Sequence, residues 1–152
     1  MNISVSALTV AKYFLSLSDE DSGDLVSNLK LQKLLYYAQG CWVAVNGTEK
    51  PLFKDKIYAW KHGPVVKTVY NHYASHGANA LPIEKTPSLR PDIVEFLKEI
   101  YRVFGRYSAW QLREMTHREP PWIENYRPIV KDIEIPLNAM SKYFSRHVKK
   151  AA

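Results

Sequence analysis

The stretch Leu29-Lys-Leu-Gln-Lys-Leu-Leu-Tyr-Tyr-Ala-Gln-Gly40 decides how this chain folds. Leu31, Leu34, Leu35, Ala38 and Trp42 recur at spacings of three and four, which places them on one stripe of an α-helix. Leu29, Tyr36 and Tyr37 widen that stripe until little of the circumference is polar. A helix apolar around most of its girth is buried among other elements rather than lying on a surface, so residues 28–45 are expected to form a central core helix. Lys30 and Lys33 sit three apart on its narrow polar side. Two roles stay open for them: structural lysines that snorkel out of the core, which is the preferred reading, or markers of where the helix reaches a partner surface.

Outward from that helix, residues 4–17 carry the stripe Ala7, Leu8, Ala11, Phe14 and Leu15, with Ser4 or Ser6 as cap. An acidic loop, Ser18-Asp-Glu-Asp-Ser-Gly23, separates this first helix from Ser27 or Asn28, either of which caps the core helix; Asn46-Gly47 ends it. Lys56-Ile-Tyr-Ala-Trp60 reads as a strand or extended segment. Pro64 is expected to open a helix whose inner face is Val65, Val66, Val69, Tyr70 and Tyr73, stopped by Gly77. A connector follows, with a short strand near Leu81–Ile83, and then a helix from Pro91 to Gly105 lined by Ile93, Val94, Leu97, Ile100, Tyr101 and Phe104. Ser108-Ala-Trp-Gln111 has capping-box spacing for a shorter helix to about Thr116, which Pro120 and Pro121 cannot let continue. Residues 132–136 read as extended, and Pro136 opens a last helix bearing Leu137, Met140, Tyr143, Phe144 and Val148. The expected fold is mainly α, verging on α+β: a single-domain bundle of six helices around a buried one, with a small antiparallel β element.

A chain of 152 residues, 46% apolar and 24% charged, describes one ordinary globular domain. No apolar run approaches the roughly 20 residues of a membrane span, and the start lacks the pattern of a signal peptide. The single cysteine, Cys41, excludes an intrachain disulfide and a cysteine-based zinc knuckle; a cytoplasmic location is expected. The formal charge of +6 admits nucleic acid or an acidic protein surface as partner. The lysines are dispersed, however, with no arginine-rich run before Lys149-Lys150, so nucleic acid is the weaker candidate.

Chemistry is sparse. His72 and His76 stand four apart on a predicted helix but lack the glutamate of a metalloprotease motif, so a solvated face is preferred to a metal site. No glycine-rich phosphate loop or nucleophile elbow occurs, and Cys41 on the core helix reads as an inert thiol. Thr116-His117, followed by Pro121-Trp122, either shapes a pocket or has Trp122 plugging the core while His117 caps carbonyls, the second being preferred. Trp60-Lys61-His62-Gly63-Pro64 is either a rigid recognition turn or a plain connection between elements. No convergent acid, base and nucleophile emerge, and neither a cofactor nor a metal is expected.

In order along the chain, Lys30-Leu-Gln-Lys-Leu-Leu-Tyr-Tyr-Ala-Gln-Gly40, Pro51-Leu-Phe53 and Ile57-Tyr-Ala-Trp-Lys-His-Gly-Pro-Val-Val66, with Tyr70 and Gly77, resemble the Panacea domain family. Leu112-Arg-Glu-Met-Thr-His117, Pro121-Trp122, Ile135 and Tyr143-Phe144 continue the resemblance to nearly the end of the chain. The family includes phage-associated GepA-like proteins and SocA-like antitoxins. The resemblance implies an antitoxin-type binding domain, without catalysis, that neutralises a toxin encoded nearby through direct protein contact. One branch instead delivers its toxin to a cytoplasmic protease, which is the alternative; an unrecognised enzyme ranks below both. Many members carry a fused helix-turn-helix domain, for which this sequence shows no segment, so DNA binding is not expected. Lys61, His62, Gly63, Pro64, Lys67 and Tyr70 are the expected partner-binding residues. Lys30, Leu31, Lys33, Leu34, Leu35, Tyr36, Trp60, Thr116, His117, Pro121 and Trp122 are the motif residues expected to build the fold around them.

Overall fold

The computed structural model describes residues 5–19 and 25–151. Ser4, most of the acidic loop at 20–24 and the side chains of Val148, Lys149 and Lys150 lie outside what it describes. Helix α1 spans Ala7–Ser16 and is capped by Ser6, whose Oγ accepts the amide of Thr9 at 3.1 Å. Helix α2, Asn28–Asn46, is the expected central helix: every residue from Lys30 to Gly40 is buried. Ser27 is its cap. Asn28 instead reaches sideways, donating to the Tyr70 carbonyl and accepting from Gln32.

Strand β1, Ile57–Trp60, pairs antiparallel with β2, Gly63–Val66, so that Trp60 faces Gly63 across the two-residue turn Lys61-His62. This corrects the expectation that Pro64 opens a helix. Pro64 pairs with Ala59 in a two-stranded ribbon, where a missing N–H is tolerated. Helix α3 starts only at Lys67 and runs to Tyr73, followed by a 3₁₀ turn at Ala74–His76. On the other edge of β1, Ala59 donates to Ile133 and Ile135 donates to Ile57, so the expected extended segment at 132–136 pairs over 133–135, while Asp132 is left-handed at φ +57°. The expected strand near Leu81–Ile83 reduces to a single bridge between Ser27 and Ala80.

Helix α4, Pro91–Phe104, has proline in its first turn, and α5, Ala109–Thr116, carries the full reciprocal capping box between Ser108 and Gln111. A seventh α-helix among the described residues was not foreseen. Helix α6, Pro120–Ile123, restarts where the prolines stop α5, because proline suits a first helical position. Helix α7, Leu137–Ala151, closes over α2. Gly40 makes that closure possible: a Cβ there would collide with the Phe144 ring. Tyr36, Tyr37 and Phe144 pack edge to face, with centroids 5.0–5.8 Å apart, at the seam.

Asn28, Lys30, Gln32, Lys33 and Gln39 of α2 are buried, and each bonds a backbone group of another segment. Gln39 donates to the Phe53 carbonyl at 2.6 Å and accepts the Leu52 amide at 2.8 Å, while Gln32 accepts the Val66 amide at 2.9 Å. Buried amides satisfied on both sides fix the register of what they touch. These bonds therefore tie the 51–53 connector and the β-ribbon to one helix.

Candidate partner-binding site at the β-ribbon turn

Lys61 and His62 are exposed at the tip of the ribbon, and the turn beneath them is held from below. Gly63 has φ +110°, and its backbone passes so close to α2 that a Cβ would stand 2.6 Å from Lys33 Cε and 2.8 Å from Thr116 Oγ1. Lys33 is fully buried and donates from Nζ to the Pro64 carbonyl at 3.0 Å. It does not snorkel to solvent; it is the post on which the turn rests. Burial, with Arg113 adding repulsion, lowers its pKa to about 7. Lys30, one turn earlier, reaches away from the ribbon and donates to the Gly105 carbonyl at 2.6 Å.

Arg113 of α5 donates to His62 Nδ1 at 3.0 Å and lies 4.3 Å over the ring of Trp110, which is 57% exposed. Burial and the neighbouring Arg113, Lys61 and Lys33 hold the His62 imidazole below its usual range, so it is neutral and accepts at neutral pH. Arg113 also pairs with Glu114 at 2.8 Å. A cleft of about 470 Å³ opens beside the turn, bounded by Leu29, Lys33, Trp60, Lys61, His62 and Tyr70. Tyr70 meets Trp60 edge to face at 5.0 Å.

Lys67 is separated from this cleft. Its amine binds Asp132 at 2.7 Å, and the same carboxylate accepts Trp60 Nε1 at 2.9 Å. Asp132 has φ +57°, a left-handed position that aspartate tolerates, and it anchors a loop whose Ile129 is 94% exposed. The Lys67 hydrogen bond, then that of Trp60, keeps the Asp132 carboxyl below its ordinary pKa. A second depression, of about 410 Å³, lies between this loop and the ribbon, with Trp60 and Lys61 in the wall of both.

The later motif residues brace the ribbon. Trp122 is half-buried rather than a core plug: its Nε1 donates to the Trp60 carbonyl at 2.7 Å and its ring stacks on His117 and Tyr126. His117 ends α5 through its backbone amide, its side-chain Nε2 has no hydrogen-bond partner, and burial lowers its pKa. Thr116 returns its hydroxyl to the Arg113 carbonyl at 2.8 Å, and Pro121 is buried. Leu31, Leu34 and Leu35 are core, and Tyr36 donates to Glu119.

The expected site residues thus divide. Lys61, His62 and Tyr70 line one cleft, while Gly63 and Pro64 are buried beneath the turn; Lys67 belongs to the neighbouring depression. Arg113, Trp110 and Asp132 were missed. They reach the ribbon from distant parts of the chain, as in the separations of 51 for Arg113–His62 and 72 for Asp132–Trp60, and nothing local in the sequence signals that approach. Among the described residues no group of three or more His, Cys, Asp or Glu is placed to hold a metal ion; His72 is exposed. Burial pushes the Cys41 thiol up to about 12, which leaves it protonated and unreactive at neutral pH. No helix among the described residues is long and apolar enough to cross a membrane.

Residues 31–123, which hold the whole ribbon and its braces, match the family described as Antitoxin SocA-like, Panacea domain. The chain belongs to the Panacea domain family. It is also similar to a curated relative, Antitoxin SocA of Caulobacter vibrioides (strain NA1000 / CB15N), with 34% identity over 111 residues. That match covers 64% of the present chain and 58% of the length of the relative. No solved structure matches. The Panacea match begins inside α2 and ends with α6, so α1 and α7, which complete the core around α2, lie beyond the matched span.

Proposed function

We propose that this Panacea domain is an antitoxin-type binding module that neutralises a cognate protein toxin by direct contact, with the Lys61-His62 turn at the centre of the contact. The observation that carries this reading is a turn that is exposed at its tip yet held rigidly beneath, by Lys33, Gln32 and Trp122. A preformed surface loses little ordering entropy on association. Exposed Trp110, braced Arg113 and Lys61 supply the aromatic and cationic anchors that dominate protein interfaces. Their charge fits an acidic toxin surface. Membership of an antitoxin family and similarity to Antitoxin SocA support the same reading. The module has no catalytic part in it, and the cytoplasm is where it acts.

The test is to co-express the chain with each adjacent small reading frame, scoring growth and co-purification. One toxic neighbour, rescued by the chain and retained with it through purification, is expected. Absence of any toxic neighbour removes the reading. Repeating the rescue in a protease-deficient host separates direct neutralisation, which persists, from delivery to a cytoplasmic protease, which does not.

A further inference from the structure

A different face of the molecule holds a carboxylate that the β-ribbon does not use. Glu119, 7% exposed, is the cap residue of α6, and its two oxygens accept the hydroxyls of Tyr36 and Tyr37 at 2.9 and 2.7 Å. Each carboxylate oxygen has two acceptor positions, so the two tyrosines leave about half of that capacity unused. Among the described residues no Lys, Arg or His pairs with it. A buried carboxylate without a cation is costly, and burial accordingly raises its pKa to about 7, against the opposing pull of the tyrosine hydrogen bonds.

This carboxylate is not sealed in. It lines a cleft of about 530 Å³ between the C-terminal half of α2, α4 and α7, whose walls include Tyr37, Cys41, Phe104, Tyr143 and Phe144. Tyr37 stacks on Phe104 at 4.1 Å and 8°, and Tyr143 meets Phe144 edge to face at 5.0 Å. Cys41 and Tyr143 are pushed up to about 12 by burial and by the Glu119 charge, so both remain neutral near pH 7. The cleft therefore has aromatic walls with the buried Glu119 carboxylate among them; Glu99, exposed and paired with Arg102, and the exposed His147 also line it.

We propose that this cleft is a binding site for a primary ammonium carried on an apolar stem. The ammonium would bind Glu119 through the lone pairs the tyrosines leave, and the stem would lie against the aromatic walls. Ring faces attract a cation directly, and desolvation strengthens that attraction. A compact ammonium with three rotatable donors adapts to the remaining lone pairs, whereas a guanidinium requires a fixed fork of acceptors. The same chemistry is offered by a free alkylamine and by a lysine side chain of another protein.

The test is an NMR titration of the full chain near pH 8, reading the ring signals of Tyr37 and Tyr143. The probes are n-pentylammonium, its neutral counterpart n-pentanol, and Nα-acetyl-lysine N-methylamide. The ammonium is expected to bind about tenfold or more tightly than the alcohol, and Glu119→Gln is expected to abolish that preference. Binding of the lysine derivative assigns the site to a protein lysine, and binding of the free amine alone assigns it to a small molecule; both uphold the proposal. Equal affinity for pentanol, no saturable binding by either cation, or a preference that survives in E119Q overturns it. The comparison of amine with alcohol needs no variant, so it stands whatever E119Q does to folding.

Discussion

Gly63 stands where three demands meet: a positive φ, the close approach of Lys33 and the close approach of Thr116. Gly63→Ala is expected to lower stability by about 2–3 kcal/mol, because backbone strain and steric collision act together. Gly47 has φ +94° but open space around it, so Gly47→Ala carries the strain alone and is expected to cost about 1 kcal/mol. Urea unfolding midpoints of the two variants check this. Equal losses would show that the packing of Lys33 beneath the turn contributes nothing. At this scale the sequence was readable in its types and unreadable in its contacts. Lys33 was visible as a lysine on an apolar helix, but a fully buried amine bonded to the Pro64 carbonyl depends on a strand 31 residues away.

Among the elements, α2 and α7 hold each other. Phe144 fills the space that Gly40 vacates and packs edge to face with Tyr36, Tyr37 and Tyr143. Phe144→Ala is expected to cost about 3–5 kcal/mol, the range for deleting a buried aromatic ring, measured as the shift in unfolding free energy. A loss below about 1 kcal/mol would mean that α7 is not a structural partner of α2. The helices were legible because their signals are local: periodicity in α2 and α4, a capping box before α5, proline at the head of α4. The β-ribbon was half legible. Pro64-Val-Val66 suits the start of a helix as well as a strand, and pairing with Ile57–Trp60 and with the Gln32 side chain decides between them. Helix α6 was missed because two prolines read as a stop, although the first of them is also a start.

For the whole molecule, two buried groups of opposite sign set how stability depends on pH. Glu119 titrates near 7 in the fold against 4.5 for its ordinary value, so the folded state holds an extra proton between those limits and stability falls as pH rises through them. Lys33, lowered from 10.5 to about 7, works in the opposite sense: the folded state holds fewer protons than the unfolded one, and stability rises above about pH 7. From pH 9, the ordinary value for cysteine, the raised Cys41 opposes that rise. Lys33→Met is therefore expected to flatten the slope between pH 7 and about 9, and Glu119→Gln the slope between 4.5 and 7, each by at most about 1.4 kcal/mol per pH unit. His62 and His117, both lowered, act against Glu119 in the acid range, so each variant is compared with the parent chain at every pH. Unfolding midpoints across that series that run parallel to the parent's would contradict these two assignments.

The face proposed for the partner was visible in the sequence as a rigid polar turn, Trp60 to Pro64, and its braces were visible as motif blocks. What was hidden is the assembly: Arg113 and Trp110 reach the turn only because α5 packs against the ribbon. The central claim is that this exposed, braced turn makes the contact with the toxin. Its most direct test is the affinity of the purified chain for the toxin identified by co-expression, compared with Lys61→Glu/His62→Ala, by titration calorimetry alongside the melting temperature. The variant is expected to bind at least about tenfold more weakly with a melting temperature nearly unchanged, because both side chains are exposed. Unaltered affinity in a normally folded variant would place the contact elsewhere on the molecule.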